Sequence, residues 1–201
     1  MRAFVGIALP DELRAALEAA IQVVRRGDHR WHDAKWVAPE NIHVTVAFLG
    51  NISAEDGELL ADDLAARYAA CDVPMLEYAG LRAVPGTRHA RMVWATFDDP
   101  GDLCARIATE TFDAAARIGV PPPERDFSAH ATLVRARKPA NLDAEVLTQA
   151  EEAVRDALGG GGEFLSGPSP RVPVGSVDLI ESRLTPTGPV YTPVRTIAVG
   201  R

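Results

Sequence analysis

Two histidines in this chain stand in the same short context. His43-Val44-Thr45-Val46 lies within residues 41–50, and His130-Ala131-Thr132-Leu133 lies within residues 128–137. Each reads His, any residue, Thr, apolar residue. Imidazole is the side chain whose ordinary pKa lies nearest neutrality, so one His can take a proton while another gives one. A Thr hydroxyl can donate to an anionic oxygen. Two of each around one anion suit displacement at phosphorus. A base activates the attacking water, an acid protonates the leaving oxygen, and the hydroxyls hold the non-bridging oxygens. One His-x-Thr is a weak pattern. Two copies in apolar runs, in a chain with only five histidines, carry the argument. His29, His32 and His89 lie in polar or loop-like stretches and read as solvated surface.

Both motifs sit in runs rich in Val, Leu, Phe and Thr, the composition of strands. Side chains alternate faces along a strand, so each His shares a face with the Thr two residues on. Val44, Val46 and Ala131 then point away. The same alternation sets Ala47 on the face of His43 and Thr45. It sends Arg135 to the face opposite His130, where it reads as a surface charge. Arg91, at a strand start, and Arg125, in the loop before the second motif, are candidate substrate-binding cations. Phe48 and Trp94 read as core. Trp36 and Phe127, in short extended pieces beside the motifs, are candidate platforms for a nucleobase, worth about 1–3 kcal/mol per base if they stack.

The surrounding elements must bring the two strands together. Residues 2–9 read as a buried strand, and Pro10-Asp11 opens a helix with Leu13, Ala16, Leu17, Ala20, Ile21 and Val24 at helical spacing. Ser53 and Asp56 mark a second helix start. Strands are expected over 74–83, 91–97, 172–184 and about 191–199, with helices over about 101–118 and 142–158. Gly159 to Gly162 reads as a flexible break and not a phosphate loop, because no Gly-Lys-Ser/Thr follows. The motifs are the strong evidence for a loose duplication into halves of about 1–95 and 96–201. These elements predict one bilobal α+β domain over residues 1–201. It would have two mostly antiparallel sheets, flanking helices, pseudo-twofold symmetry, and the active site in the cleft between the lobes.

Composition narrows the partners. The net charge is −7 and the pI near 5.2, so a sequence-independent hold on long nucleic acid is not expected, and any cationic contact is local. Cys71 and Cys104 sit in no Cys-x-x-Cys or Cys/His spacing, which argues against a zinc site and a disulfide scaffold. No metal and no cofactor are expected. The N-terminal apolar run is too short for a signal peptide, and no stretch has the length of a transmembrane helix. A cytoplasmic monomer that does not engage membranes is expected.

The chain resembles the two-histidine (2H) phosphoesterases, and within them the RNA 2′,3′-cyclic phosphodiesterases, also called 2′-5′ RNA ligase-like proteins. The resemblance covers nearly the whole chain. It rests on Arg2-Ala3-Phe4-Val5 with Leu9-Pro10, Lys35-Trp36-Val37, and Pro39-Glu40-Asn41-Ile42-His43-Val44-Thr45 with Phe48-Leu49-Gly50. It continues through Arg91-Met92-Val93-Trp94-Ala95, Arg125-Asp126-Phe127 and His130-Ala131-Thr132-Leu133, to Glu181-Ser182-Arg183-Leu184 with Gly188-Pro189-Val190-Tyr191. Two positions depart from the family pattern: Ala129, where Pro is frequent, and Ala47, where a basic residue is frequent. The resemblance implies metal-independent hydrolysis of a 2′,3′-cyclic phosphate at an RNA 3′ end to a 2′-phosphomonoester, with reversible 2′-5′ ligation as a companion reaction. It implies His43 as general acid, His130 as general base, and Thr45 and Thr132 as phosphate ligands. The residue types alone leave the order of the two histidines open. Two other readings stand beside this one. The first is a phosphodiesterase on 2′-5′ oligonucleotides or a small nucleotide-derived cyclic phosphate. The second is an RNA-end binding module with little turnover.

Overall fold

The computed structural model describes residues 1–159, 170–186 and 188–200. Among these residues, nine strands and four α-helices follow in the order β1 (Arg2–Ala8), α1 (Asp11–Gly27), β2 (Lys35–Trp36), β3 (His43–Asn51), α2 (Ala54–Tyr68), β4 (Met75–Val84), β5 (Ala90–Asp98), α3 (Leu103–Ala115), β6 (His130–Ala140), α4 (Ala144–Leu158), β7 (Arg171–Pro173), β8 (Ser176–Thr185) and β9 (Gly188–Ala198). Among the described residues no helix is long and apolar enough to cross a membrane.

Local chemistry accounts for the elements. In α1 every apolar residue singled out at helical spacing, from Leu13 to Val24, is buried. Ser53 and Asp56 form a reciprocal capping box at the start of α2, satisfying backbone donors that a helix start leaves unpaired. The helix expected over about 101–118 is shorter. Gly101, at φ 76°, and Asp102, at φ 54°, hold a left-handed turn before Leu103. There the Asp99 carboxylate accepts from the backbone N–H groups of Cys104 and Ala105. The strand expected over 172–184 is two strands, because the chain changes sides of the sheet. β7 pairs with β4, whereas β8 pairs with β1 and β9. Gly159 ends α4, and Gly160, Gly161 and Gly162 of the expected glycine break lie outside the described residues.

The strands pair in the order β7-β4-β5-β6-β3-β1-β8-β9, with β2 on β6, and every registered pairing is antiparallel. The α+β, antiparallel expectation stands, with one correction: the two expected sheets are one curled sheet. They join at a narrow seam between β3 and β6, where only Val44 and Ala131 are registered partners. A bulge in each strand just beyond that pair bends it and loosens further pairing.

The two lobes of this sheet exchange elements. β4, from the first part of the chain, pairs with β5, and β8, from the last part, pairs with β1. Helix α1 packs on α4 and β6, while α3 packs on β3 and α2. The expected division near residue 95 therefore falls inside β5. The buried apolar residues of both lobes form one continuous core, with Val5, Val44, Leu64, Ala95, Ala131 and Val177 essentially inaccessible.

Candidate active site

The seam sets the geometry. Val44 and Ala131 are both fully buried, so their neighbours His43, Thr45, His130 and Thr132 share the opposite face, and all four are half-buried. In the antiparallel register of that pair, His43 is level with Thr132 and Thr45 with His130. The two histidines thus lie on a diagonal of a four-residue square. On a regular ladder such a diagonal spans about 7–8 Å, room for one tetrahedral anion.

The imidazoles are held alike. Nδ1 of His43 donates to the Asn41 carbonyl and Nδ1 of His130 to the Ser128 carbonyl, each at 2.7 Å and each two residues back along the chain. A carbonyl can only accept, so Nδ1 keeps its proton and Nε2 carries the lone pair in the neutral ring. Nε2 of His43 lies 3.0 Å from the Thr45 hydroxyl, which donates to it. An aromatic ring backs each imidazole. Phe4 on β1 stacks on His43 at 4.7 Å between ring centroids, and Trp94 on β5 stacks on His130 at 3.9 Å. Tyr191 on β9 meets His43 edge-on at 5.3 Å. Burial depresses both imidazole pKa values below the ordinary 6.5. The hydrogen bond to each carbonyl opposes this, and a neighbouring positive charge adds to it: His130 for His43, Arg135 for His130.

Four expectations are corrected here, three of them by the bulges. Relative to β1, β3 carries an extra residue at Val46, since Thr45 pairs with Gly6 and Ala47 with Val5. Relative to β5, β6 carries one at Leu133, since Thr132 pairs with Trp94 and Val134 with Val93. Both lie three residues after the motif histidine. Beyond each bulge the alternation flips, and the fifth residue after the histidine returns to the site face. Arg135 is therefore on that face. Its guanidinium donates to the Thr132 hydroxyl at 3.4 Å and reaches the Met92 sulfur. Phe48 is its counterpart, 69% exposed and 6.2 Å from Phe4, not core. Ala47 is buried on the opposite face and does not flank the site. Trp94, read as core, is the half-buried ring behind His130.

The remaining candidates separate. Trp36 packs in an apolar crevice with Ala20, Val24, Leu81 and Leu133, on the core side of the sheet. It is not placed as a base platform. Phe127 is half-buried against the core. Arg125 is exposed in the loop before β6, and Arg91 is exposed at the start of β5, where alternation sets it on the side of buried Val93. Neither has a polar partner among the described residues. Phe4, Gly6, Asn41 and Tyr191 belong to the site although the sequence singles out none of them as functional. A Cβ on Gly6 would stand 3.2 Å from His43 Cδ2 and 3.2 Å from Phe4 Cε2, so the bare backbone makes room for both rings. The Asn41 side chain donates to the Pro189 carbonyl at 3.2 Å, tying the β8–β9 hairpin to the turn that holds His43. The one available signal is distance from the motif, two residues before His43 for Asn41. Phe4, Gly6 and Tyr191 are remote in sequence. Among the described residues no three His, Cys, Asp or Glu side chains cluster as metal ligands.

Comparisons with known proteins give the family and the fold. A family model described as LigT like phosphoesterase matches residues 7–94. The RNA 2′,3′-cyclic phosphodiesterase of Thermus thermophilus is 31% identical over 201 residues, covering 96% of this chain and 87% of that protein. Among solved structures, TT0787 of Thermus thermophilus superposes with a TM-score of 0.71 at 26% identity, over 99% of this chain and 98% of the other. LigT of E. coli, complexed with 3′-AMP, superposes with a TM-score of 0.69 at 25% identity, over 98% of this chain and 97% of the other.

Proposed function

Because the chain belongs to the LigT-like phosphoesterase family of the 2H superfamily, we propose that it hydrolyses the 2′,3′-cyclic phosphate at RNA 3′ ends to a 2′-phosphomonoester. The observation that carries this reading is the square of His43, Thr45, His130 and Thr132 on one sheet face, with each Nδ1 tied to a carbonyl.

The chemistry follows from those ties. His130 Nε2 takes a proton from water, whose oxygen attacks phosphorus. The bond from phosphorus to the 3′ oxygen breaks, and protonated His43 delivers its Nε2 proton to that oxygen. Proton exchange with solvent then resets the pair. We take His130 as the base and His43 as the acid; burial depresses both imidazoles, and the Arg135 charge adds to this at His130 as the His130 charge does at His43. Thr45, Thr132 and Arg135 hold the non-bridging oxygens, the guanidinium by charge-assisted hydrogen bonds. Phe48 and Tyr191 offer aromatic faces to the terminal base. A 5′ hydroxyl in place of water would form a 2′-5′ linkage by the same proton transfers. No metal is assigned a step. Both motifs come from one chain and Cys71 and Cys104 are unpaired, which supports a monomer acting in the cytoplasm.

The test is to incubate the protein and EDTA with an RNA ending in 2′,3′-cyclic phosphate and follow products by phosphorus NMR. A 2′-phosphomonoester is expected. A predominantly 3′-phosphate product, or turnover abolished by the chelator and restored by metal, overturns the reading. Two alternative substrates share this site, a 2′-5′ oligonucleotide and a small cyclic phosphate, and competition assays against the RNA substrate rank them. Binding without turnover is disfavoured, since two tautomer-locked imidazoles add nothing that Arg and Lys would not supply to simple retention.

A further inference from the structure

The two lobes present different chemistry on the site face. The first offers aromatic rings, Phe4, Phe48 and Tyr191. The second offers cations. Thr132 pairs with Trp94, and Trp94 in turn pairs with Arg82 on β4. These three residues form one row across β6, β5 and β4, all facing the side of the histidines. Leu81 and Ala83, on either side of Arg82, turn to the core face, as their partners Ala95 and Val93 do. Arg82 is exposed, and its side chain has no ion pair or hydrogen bond among the described residues. Other arginines of this acidic chain, such as Arg67, Arg117 and Arg195, are matched to carboxylates. Two strand spacings put the Arg82 backbone about 10 Å from that of Thr132, a separation that one nucleotide linking the two positions can span.

Resting on the cyclic-phosphodiesterase reading, we infer that Arg82 forms a second phosphate subsite that takes the 5′ phosphate of the terminal nucleotide, the link to the upstream RNA strand. The aromatic lobe receives the terminal base. The backbone then leaves over Trp94 toward Arg82. The site thereby favours an RNA end over a free cyclic nucleoside phosphate, although the chain carries net negative charge.

The probes are adenosine 2′,3′-cyclic phosphate with and without a 5′ phosphate. In the wild type kcat/KM is higher for the 5′-phosphorylated compound by roughly tenfold, the scale of one charge-assisted hydrogen bond at an open site. Raising the salt narrows the ratio. In Arg82→Gln the ratio falls toward one, and in Arg82→Lys part of it returns. A wild-type ratio of one overturns the subsite, and so does a ratio that survives Arg82→Gln, including by equal loss on both compounds. An RNA ending in 2′,3′-cyclic phosphate is assayed alongside: failure of the wild type on it overturns the parent reading, whereas its turnover with neither mononucleotide hydrolysed overturns the subsite alone. Hydrolysis of both with no dependence on Arg82 overturns the subsite alone.

Discussion

The carbonyls of Asn41 and Ser128 decide which nitrogen of each imidazole can do chemistry. With Nδ1 of each ring bound to a carbonyl, neither ring can turn to offer the other nitrogen without losing that bond. His43→Ala and His130→Ala should each lower kcat by about 10²–10⁴-fold, with circular dichroism unchanged. Near-native turnover in either variant contradicts a paired role. Burial depresses both imidazoles, so the bell-shaped kcat/KM profile, which reports the free enzyme, should centre below the ordinary imidazole value of 6.5. Both limbs belong to the coupled pair. Arg135→Gln removes a positive charge beside His130, which raises that imidazole's pKa. The acidic limb should therefore move to higher pH as kcat/KM falls; an unmoved limb would separate Arg135 from His130. The motif residues are legible from type and spacing alone, because strict alternation holds from His to Thr. Arg135 and Ala47 are misplaced by the same rule because alternation fails one residue later.

That failure is a property of paired strands and not of either strand's own composition. A bulge exists only relative to the partner's register. Nothing local in Val46-Ala47 or Leu133-Val134 announces that both members of each pair turn to the core. Each bulge brings the fifth residue after its histidine back to the site, giving an aromatic on one side and a guanidinium on the other. Support from neighbouring strands is hidden for the same reason. Gly6→Val pushes a side chain into the space of His43 and Phe4, and a displacement of about 1 Å is expected to cost roughly 10²-fold in kcat. Steady-state kinetics on a folded variant checks it, and unaltered kcat would mean the ring has slack. Asn41→Ala unties the β8–β9 hairpin from the His43 turn. A loss of about 1 kcal/mol is expected from one such hydrogen bond, read as a lower midpoint in urea. An unchanged midpoint would show that Tyr191 and the strand ladder suffice.

At the scale of the molecule, the site depends on parts that the chain order keeps apart. The α+β class and the antiparallel strands are readable from the helical and alternating periods. The exchange between lobes is not, since the pairing of β4 with β5 and of β8 with β1 is set by contacts remote in sequence. Because each lobe takes strands and helices from both ends of the chain, we propose that the lobes fold as one unit. Thermal and urea unfolding should show one transition, coincident by far-UV circular dichroism and tryptophan fluorescence. Two resolved transitions would restore independent halves. The central claim is that the repeated motifs are two halves of a single acid–base site. The most direct measurement of it is kcat for the double variant His43→Ala/His130→Ala beside the two single variants. Groups acting in one step are strongly non-additive, so the double variant should be about as slow as the slower single. A rate reduced by the product of the two single effects would contradict the account.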